Sequence, residues 1–463
     1  MKSTNFVIVL FVIGMTVVQA QGQEIIVQGN NFTEKLDWLN VFVQSNGNYI
    51  IEVNSDDRIA SNNFNYTGKS NITITLKGVI ANRNIILNSG NQFTVGSGVT
   101  LVLDNNITVH GSVNVSSGGN LIINADAAIS SGGVNINGGT FTMNGGRLPG
   151  SIVNVTSNGN FTMHDGEISG NRYGVIIGSG GIVSTRGAFI MNGGIISNTT
   201  SSGVQMHYGG GNFTMNDGII SNNRAGGVDL SAGTFTMNGG RIINNSISAG
   251  NSADYRIGGA GVRVVNTNTS FIMNGGEISG NRADGCFGGG VYLNNGGSFT
   301  MNAGDINGNN VTPFDNRNKF GGGGIAIYSG GNFIMNNGTI SGNTSGSFGG
   351  GVYVAGTFTM SGGTISGNIA RENGGGVYIS TESIFAKTGG SITGYTSDTN
   401  IGNVVKNASN TVQNFRGHAV YAGSTDTLLK IKETTAGNSD NLSYGERIGR
   451  FGYSPTVSGA WDN

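Results

Sequence analysis

The phrase Phe-Thr/Ile-Met-Asn-Gly-Gly constrains this chain more than any other feature. It begins at 141, 161, 189, 213, 235, 271, 299, 333 and 358, with small changes such as FTMHDG and FTMNDG, and a degraded copy, FAKTGG, begins at 385. Successive copies lie mostly 20 to 28 residues apart. A unit of that length cannot bury its own apolar face and must stack on the next. Gly stands fifth after Phe in every copy, and Leu or Ile seventh: Leu148, Ile168, Ile196, Ile220, Ile242, Ile278, Ile306, Ile340, Ile365 and Ile392. A second phrase, a Gly-rich tract followed by Val-x-Val, recurs at Val262, Val291, Ile325, Val352 and Val377. One unit therefore reads as three short strands and three corners, with Phe and Met on one face and Thr on the other. Stacked units of this kind predict an all-β chain folded as a parallel β-helix.

Composition agrees with a stacked solenoid and excludes several alternatives. Gly supplies 84 of 463 residues, but with three Pro and no three-residue period the chain is not a collagen. Hydrophobic residues reach 37%, too many for simple disorder. A formal net charge of −1 without a basic cluster leaves no footprint for nucleic acid. The one cysteine, Cys286, cannot form an intramolecular disulfide. Asn after Met in seven copies (Asn144, Asn192, Asn216, Asn238, Asn274, Asn302, Asn336) predicts a structural amide ladder along one corner. A second Asn, closing the third strand at 171, 223, 245, 281, 309, 343 and 368, predicts another.

Residues 1–20 read as a secretory signal peptide: Lys2, the apolar run Phe6 to Val18, and Val18-Gln19-Ala20 before Gln21. The run is too short to span a bilayer, and no second run of spanning length follows. The mature chain is expected to be secreted or at the cell surface, associated with the outer membrane, without an integral membrane segment. Residues 21–68 are expected as an N-terminal cap, with an amphipathic helix from Thr33 (Leu36, Trp38, Leu39, Phe42 and Val43 apolar) and a strand from Tyr49 to Val53. The β-helix is expected over 69–425, roughly fourteen coils and about 65–70 Å of rod. Residues 426–463, with a strand from Leu428 to Lys432, are expected as a C-terminal cap.

Residues capable of catalysis are sparse. His164, Asp165 and Glu167 share one corner, and Asp217 falls on the column of Asp165, but Gly193 intervenes and leaves the two acids about 10 Å apart. General acid–base work needs such groups on one substrate, so solvated corners are the expected role. Four scattered His and one Cys offer no metal site, and no cofactor motif is present.

The outward place within Val-x-Val differs from the rest of the surface, carrying Gln205, Asp229, Arg263, Tyr292, Ala326, Tyr353 and Tyr378. Variable loops enter beside it, two of them long (247–259 and 310–322), the second with Phe314, Arg317, Lys319 and Phe320. Tyr292, Tyr353, Tyr378, Arg263, Phe314, Arg317 and Phe320 are thus the expected binding surface, for a glycan or a protein. Ice binding is a competing reading, from Thr-x-Thr at 140/142, 234/236 and 357/359. The intervening Asn160, Ala188, Asn212 and Ser270, with Ile190, Ile272 and Ile334, interrupt that lattice.

The order Ile-x-x-Asn, a variable stretch, then Gly-Gly-Gly-Val resembles the repeats of polymorphic outer-membrane proteins. The match is clearest at Ile278 to Asn281 with Gly288 to Val291, at Ile340 to Asn343 with Gly349 to Val352, and at Ile365 to Asn368 with Gly374 to Val377. It covers roughly residues 140 to 425, with Ile where that family has Phe and no C-terminal run of barrel strands. The head and the FTMNGG coils look more like secreted β-helix proteins of spirochaetes. The resemblance implies a right-handed β-helix of the pectin-lyase type, surface display and adhesion to host or matrix, and it carries no catalytic residue. The pectin-lyase-like fold also implies the alternative of a polysaccharide lyase or hydrolase.

Overall fold

Alternating apolar residues in strands of two to seven residues bury one face of the strands, and the corners between them turn the chain back over its starting point. The computed structural model describes residues 23–178, 186–207, 209–249, 257–313, 320–381, 383–395, 401–413, 417–422, 431–432 and 456–458. It is a right-handed parallel β-helix with sheets of 16, 15 and 14 strands. Each coil runs from the Val-x-Val strand through the Phe–Met strand to the Ile strand, as in Gly133–Asn137, Thr140–Met143 and Arg147–Pro149. Neighbouring coils pair in register, Phe on Phe and Met on Met.

The central tube is lined by buried apolar side chains. From Phe141 to Phe358 successive phenylalanine rings stack with centroids 4.5–4.9 Å apart, and Phe385 continues the column at 4.9 Å. Met143 to Met360 form a second buried column, ended by the buried Lys387. The Asn-Gly-Gly corner explains the methionine. Gly166 has φ +104°, and a Cβ there would lie 2.6 Å from Met143 Cε of the coil before. Gly194, Gly218, Gly240 and Gly276 repeat both features. The unbranched thioether reaches under the next corner, and only Gly leaves it room.

The two asparagine columns differ in kind. At the Asn-Gly-Gly corner the side chains reach solvent and, from Asn216 to Asn336, each Nδ2 donates to the Oδ1 of the preceding coil, as from Asn216 to Asn192 and from Asn238 to Asn216 (both 2.8 Å). Asn274, Asn302 and Asn336 continue this chain of bonds. The second column is buried and its amides donate the other way, Asn223 to Asn245 to Asn281 to Asn309 to Asn343 to Asn368 to Asn403. Asn281 donates to Asn309 Oδ1 and Ile242 O, both at 2.9 Å, and accepts from the backbone and side-chain nitrogens of Asn245. That uses both protons and both lone pairs of the amide.

The N-terminal helix is Phe32–Phe42, one residue earlier than the sequence pattern suggests, because Asn31 caps it by accepting from Glu34 N. Phe32, Leu36, Leu39 and Val43 are buried over the end of the tube, whereas Phe42, expected on the apolar side, is 54% exposed. Lys69 Nζ donates to Val43 O at 2.5 Å and closes the helix end. Strands Asn48–Val53, Asp57–Ile59 and Asn62–Phe64 already join the three sheets, so the first coil lies inside the segment read as a cap. Of the expected C-terminal cap, Ile431–Lys432 pairs antiparallel with Val420–Ala422, and Thr456–Ser458 adds the last strand of the Phe–Met sheet. The expected signal peptide lies outside the described residues. Among the described residues, no helix is long and apolar enough to cross a membrane.

Candidate functional site

Between the buried asparagine and the Gly tract, the later coils make an excursion that the three-strand reading did not contain. Ser246–Ser248, Arg282–Asp284, Asn310–Thr312, Thr344–Ser345, Ile369–Ala370 and Val404–Val405 form a fourth parallel sheet. It lies directly on the Gly tracts: a Cβ on Gly323 would come 2.6 Å from Thr344 O, and one on Gly375 would come 2.6 Å from Val404 N. The glycines are required because two backbones touch there.

This outer layer encloses a second apolar cluster outside the tube, containing Ile247, Ala283, Cys286, Phe287, Tyr292, Val311, Phe320 and Ala326. It corrects the expected binding surface. Tyr292 points away from the tube, as the alternation requires, but is 0% exposed beneath the excursion. Phe320, expected in a protruding loop, is 1% exposed, and Gln205 is also buried. Arg263 holds an ion pair with Asp229 of the coil before, at 2.9 Å. Phe314, Arg317 and Lys319 lie outside the described residues.

Phe287 organises the cluster and was missed in the sequence. Its ring centroid is 5.2 Å from Phe320, 5.4 Å from Tyr328 and 5.3 Å from Tyr353. Tyr292, Ala326 and Tyr353 are neighbours in register, so Phe287 spans the gap left by Ala326. Where the position before the Gly tract is itself Gly, the tyrosine of the next coil fills the room: a Cβ on Gly258 would come 2.8 Å from Tyr292 Cγ, and one on Gly321 would come 2.6 Å from Tyr353 Cδ2. The signal was present in the alternation of Gly258, Phe287, Gly321 and Phe348 at that place.

The accessible remainder is the edge of an aromatic ladder. Tyr353, Tyr378 and Tyr421 are half-buried and stacked, with centroids 5.5 Å apart and planes within 9°. Phe348 stacks on Tyr378 at 4.5 Å. Because the faces between Tyr353, Tyr378 and Tyr421 are covered by one another, this stretch of the ladder offers solvent ring edges and hydroxyls rather than flat faces. Burial pushes the Tyr353 and Tyr378 phenols up from their ordinary values, so both are neutral donors at physiological pH.

The acid–base candidates separate. His164 Nδ1 meets Asn192 Nδ2 at 3.3 Å and so occupies a place in the exposed amide column. Asp165 Oδ1 accepts from Gly166 N at 2.7 Å, and Asp217 does the same with Gly218 N, which gives both acids a turn-forming role. Asp126, Arg147, Asp165 and Glu167 nevertheless line one open groove of about 590 Å³ on the outer side of the Ile sheet. Among the described residues no group of three or more His, Cys, Asp or Glu could hold a metal ion. Comparison of the chain with protein-family models, with curated proteins and with solved structures finds no match.

Proposed function

We propose that this chain is an exported, non-catalytic surface protein of adhesin type, and that it grips a protein partner along the edge of the Tyr353–Tyr378–Tyr421 ladder. The observation that carries this reading is that edge: half-exposed aromatic rings and hydroxyls in consecutive register on a rigid solenoid. Amphipathic tyrosines held in fixed rotamers give contact area with little loss of side-chain entropy. A glycan that stacks its ring face on an aromatic platform is less well served, because the faces between Tyr353 and Tyr421 are already occupied. Display outside the cytoplasm is supported by the signal pattern of residues 1–20 and by the likeness of the repeats to polymorphic outer-membrane proteins.

The double substitution Tyr378→Phe and Tyr421→Phe tests the ladder, since it removes two hydroxyls and keeps the stack. Attachment of the purified mature chain to host-matrix proteins should weaken about 30-fold, at roughly 1 kcal/mol for each of the two lost hydrogen bonds, with an unchanged melting temperature. Unchanged attachment would remove this surface from the proposal, and binding to a glycan array with no protein binding would replace the partner class.

The groove beside Asp165 favours one second reading, action on a polysaccharide. Asp165→Asn and Glu167→Gln should then each abolish polymer cleavage, and a wild-type chain inert on polysaccharides dismisses it.

A further inference from the structure

The outer side of the 16-stranded sheet is unlike the other outer sides of the molecule. Two side-chain columns cross it. In one, every residue in register from Ile50 to Thr359 is Thr, Ile or Val. The other, from Thr73 to Thr357, holds only Thr, Asn, Ser and Ala. Neither column contains a charged residue; the ion pair of Lys77 with Glu52 (3.7 Å) stands outside both, at the N-terminal end of the sheet, whereas the Ile sheet carries Arg241 and Glu277 and the Val sheet carries Asp229 and Arg263 on their outer sides. Exposed sheets normally carry charges against association.

The surface is also flat. Adjacent phenylalanine rings beneath it, from Phe141 to Phe299, lie within 8° of parallel, against a usual rotation of about 20–25° per strand in twisted sheets. Its relief recurs along the column, with Ile272 and Ile334 one threonine apart. Ile122, Ile190 and Ile272 are each separated by two threonines, and Ile190 stands 39% exposed.

From these features we infer that this face docks a second copy of the chain, sheet against sheet across a two-fold axis. A two-fold axis between the strands of Ile190 and Thr214 places Ile122, Ile190 and Ile272 of one copy over Thr300, Thr214 and Thr142 of the other, the self-matching that a two-fold interface needs. A strip about 60 Å long and 10–12 Å wide buries roughly 1,300 Å² over both copies, within the range of stable dimers. The β-branched side chains are already fixed at χ1 and lose little entropy on docking. The Thr, Asn and Ser column forms a polar border that hydrogen-bonds across the joint. A formal charge of −1 leaves almost no repulsion between copies. The isoleucines interrupt the threonine repeat that an ice lattice needs, and neither column offers an aromatic ring to a crystalline polysaccharide.

Sedimentation of the purified mature chain at micromolar concentration should show a dimer. Ile190→Lys with Ile272→Lys should sediment as a monomer with unchanged circular dichroism and melting, because both positions point outward. Mixing it with the Ile190→Glu, Ile272→Glu form should restore the dimer, which a merely misfolded variant cannot do. A monomeric wild type, or a dimer that survives the lysines, overturns the inference. So does a wild-type monomer whose thermal hysteresis is lost in the lysine form, which assigns the face to ice instead.

Discussion

The buried amides of Asn245, Asn281 and Asn309 each meet a partner at every donor and acceptor they own, and the cost of losing one follows from that count. Asn281→Ala takes the acceptor from Asn245 N and Asn245 Nδ2 and the side-chain donor from Ile242 O, all away from water, while Asn309 Oδ1 keeps the Asn281 backbone N–H; at about 1–3 kcal/mol per stranded group it should destabilise the chain by at least ~3 kcal/mol. Asn238→Ala removes the same chemistry at an exposed corner where water replaces it, so urea denaturation should register under about 1 kcal/mol. Equal losses would mean that the two ladders are not distinguished by burial. Cys286 gives a second residue-scale outcome. It is 0% exposed, and its burial, with Asp284 nearby, pushes the thiol up to about 12. A folded pKa above the unfolded one means that the neutral thiol stabilises the fold below about pH 8.5, and that this contribution is lost as pH rises toward 12. At pH 8 the folded chain should resist thiol reagents, with labelling tracking denaturant-induced unfolding. Rapid labelling without denaturant would contradict the closed outer layer.

Strand identity was legible wherever alternation ran long enough to place a residue inside or outside. The Phe, Met and Ile columns fall inward at the expected positions, because a one-residue slip would have turned each of them to water. The outer sheet was not legible. Its strands are two or three residues long, too short to show a period, and they draw on residues as unlike as Ala283, Val311 and Ser345. Tyr292 illustrates the consequence: alternation correctly turns it away from the tube, but says nothing about a second layer that closes over it. The aromatic edge was therefore legible in part, with Tyr353 and Tyr378 accessible, Tyr292 and Phe320 enclosed, and Phe287 unrecognised. That layer makes its own prediction. Ala326 lies between Tyr292 and Tyr353, in the gap that Phe287 spans. Ala326→Leu should lift that ring and cost about 1–3 kcal/mol by overpacking, with the central tube intact. Tryptic cleavage near 310–322 should accelerate while the strand signal in circular dichroism persists. An unchanged cleavage rate would show that Phe287 does not hold the layer down.

At the scale of the molecule, each coil touches only its neighbours, so stability is a sum of coil-to-coil interfaces and the ends are the weak points. The Phe32–Phe42 helix covers the first coil with Leu39 at 0% exposure and places Phe32 against Phe93 at 6.4 Å. Without such a cover the terminal coil presents unpaired strand edges and apolar residues to water. Leu39→Asp drives a charge into that contact and should detach the helix without breaking the Phe column far from it. Amide exchange should then quicken over residues 24–64 and fall back to wild-type protection by about Phe141, because coupling between coils decays along the stack. Exchange that rises uniformly over the whole chain would instead mean that the solenoid unfolds as one cooperative unit. The damage would then not be confined to the end where the charge was placed.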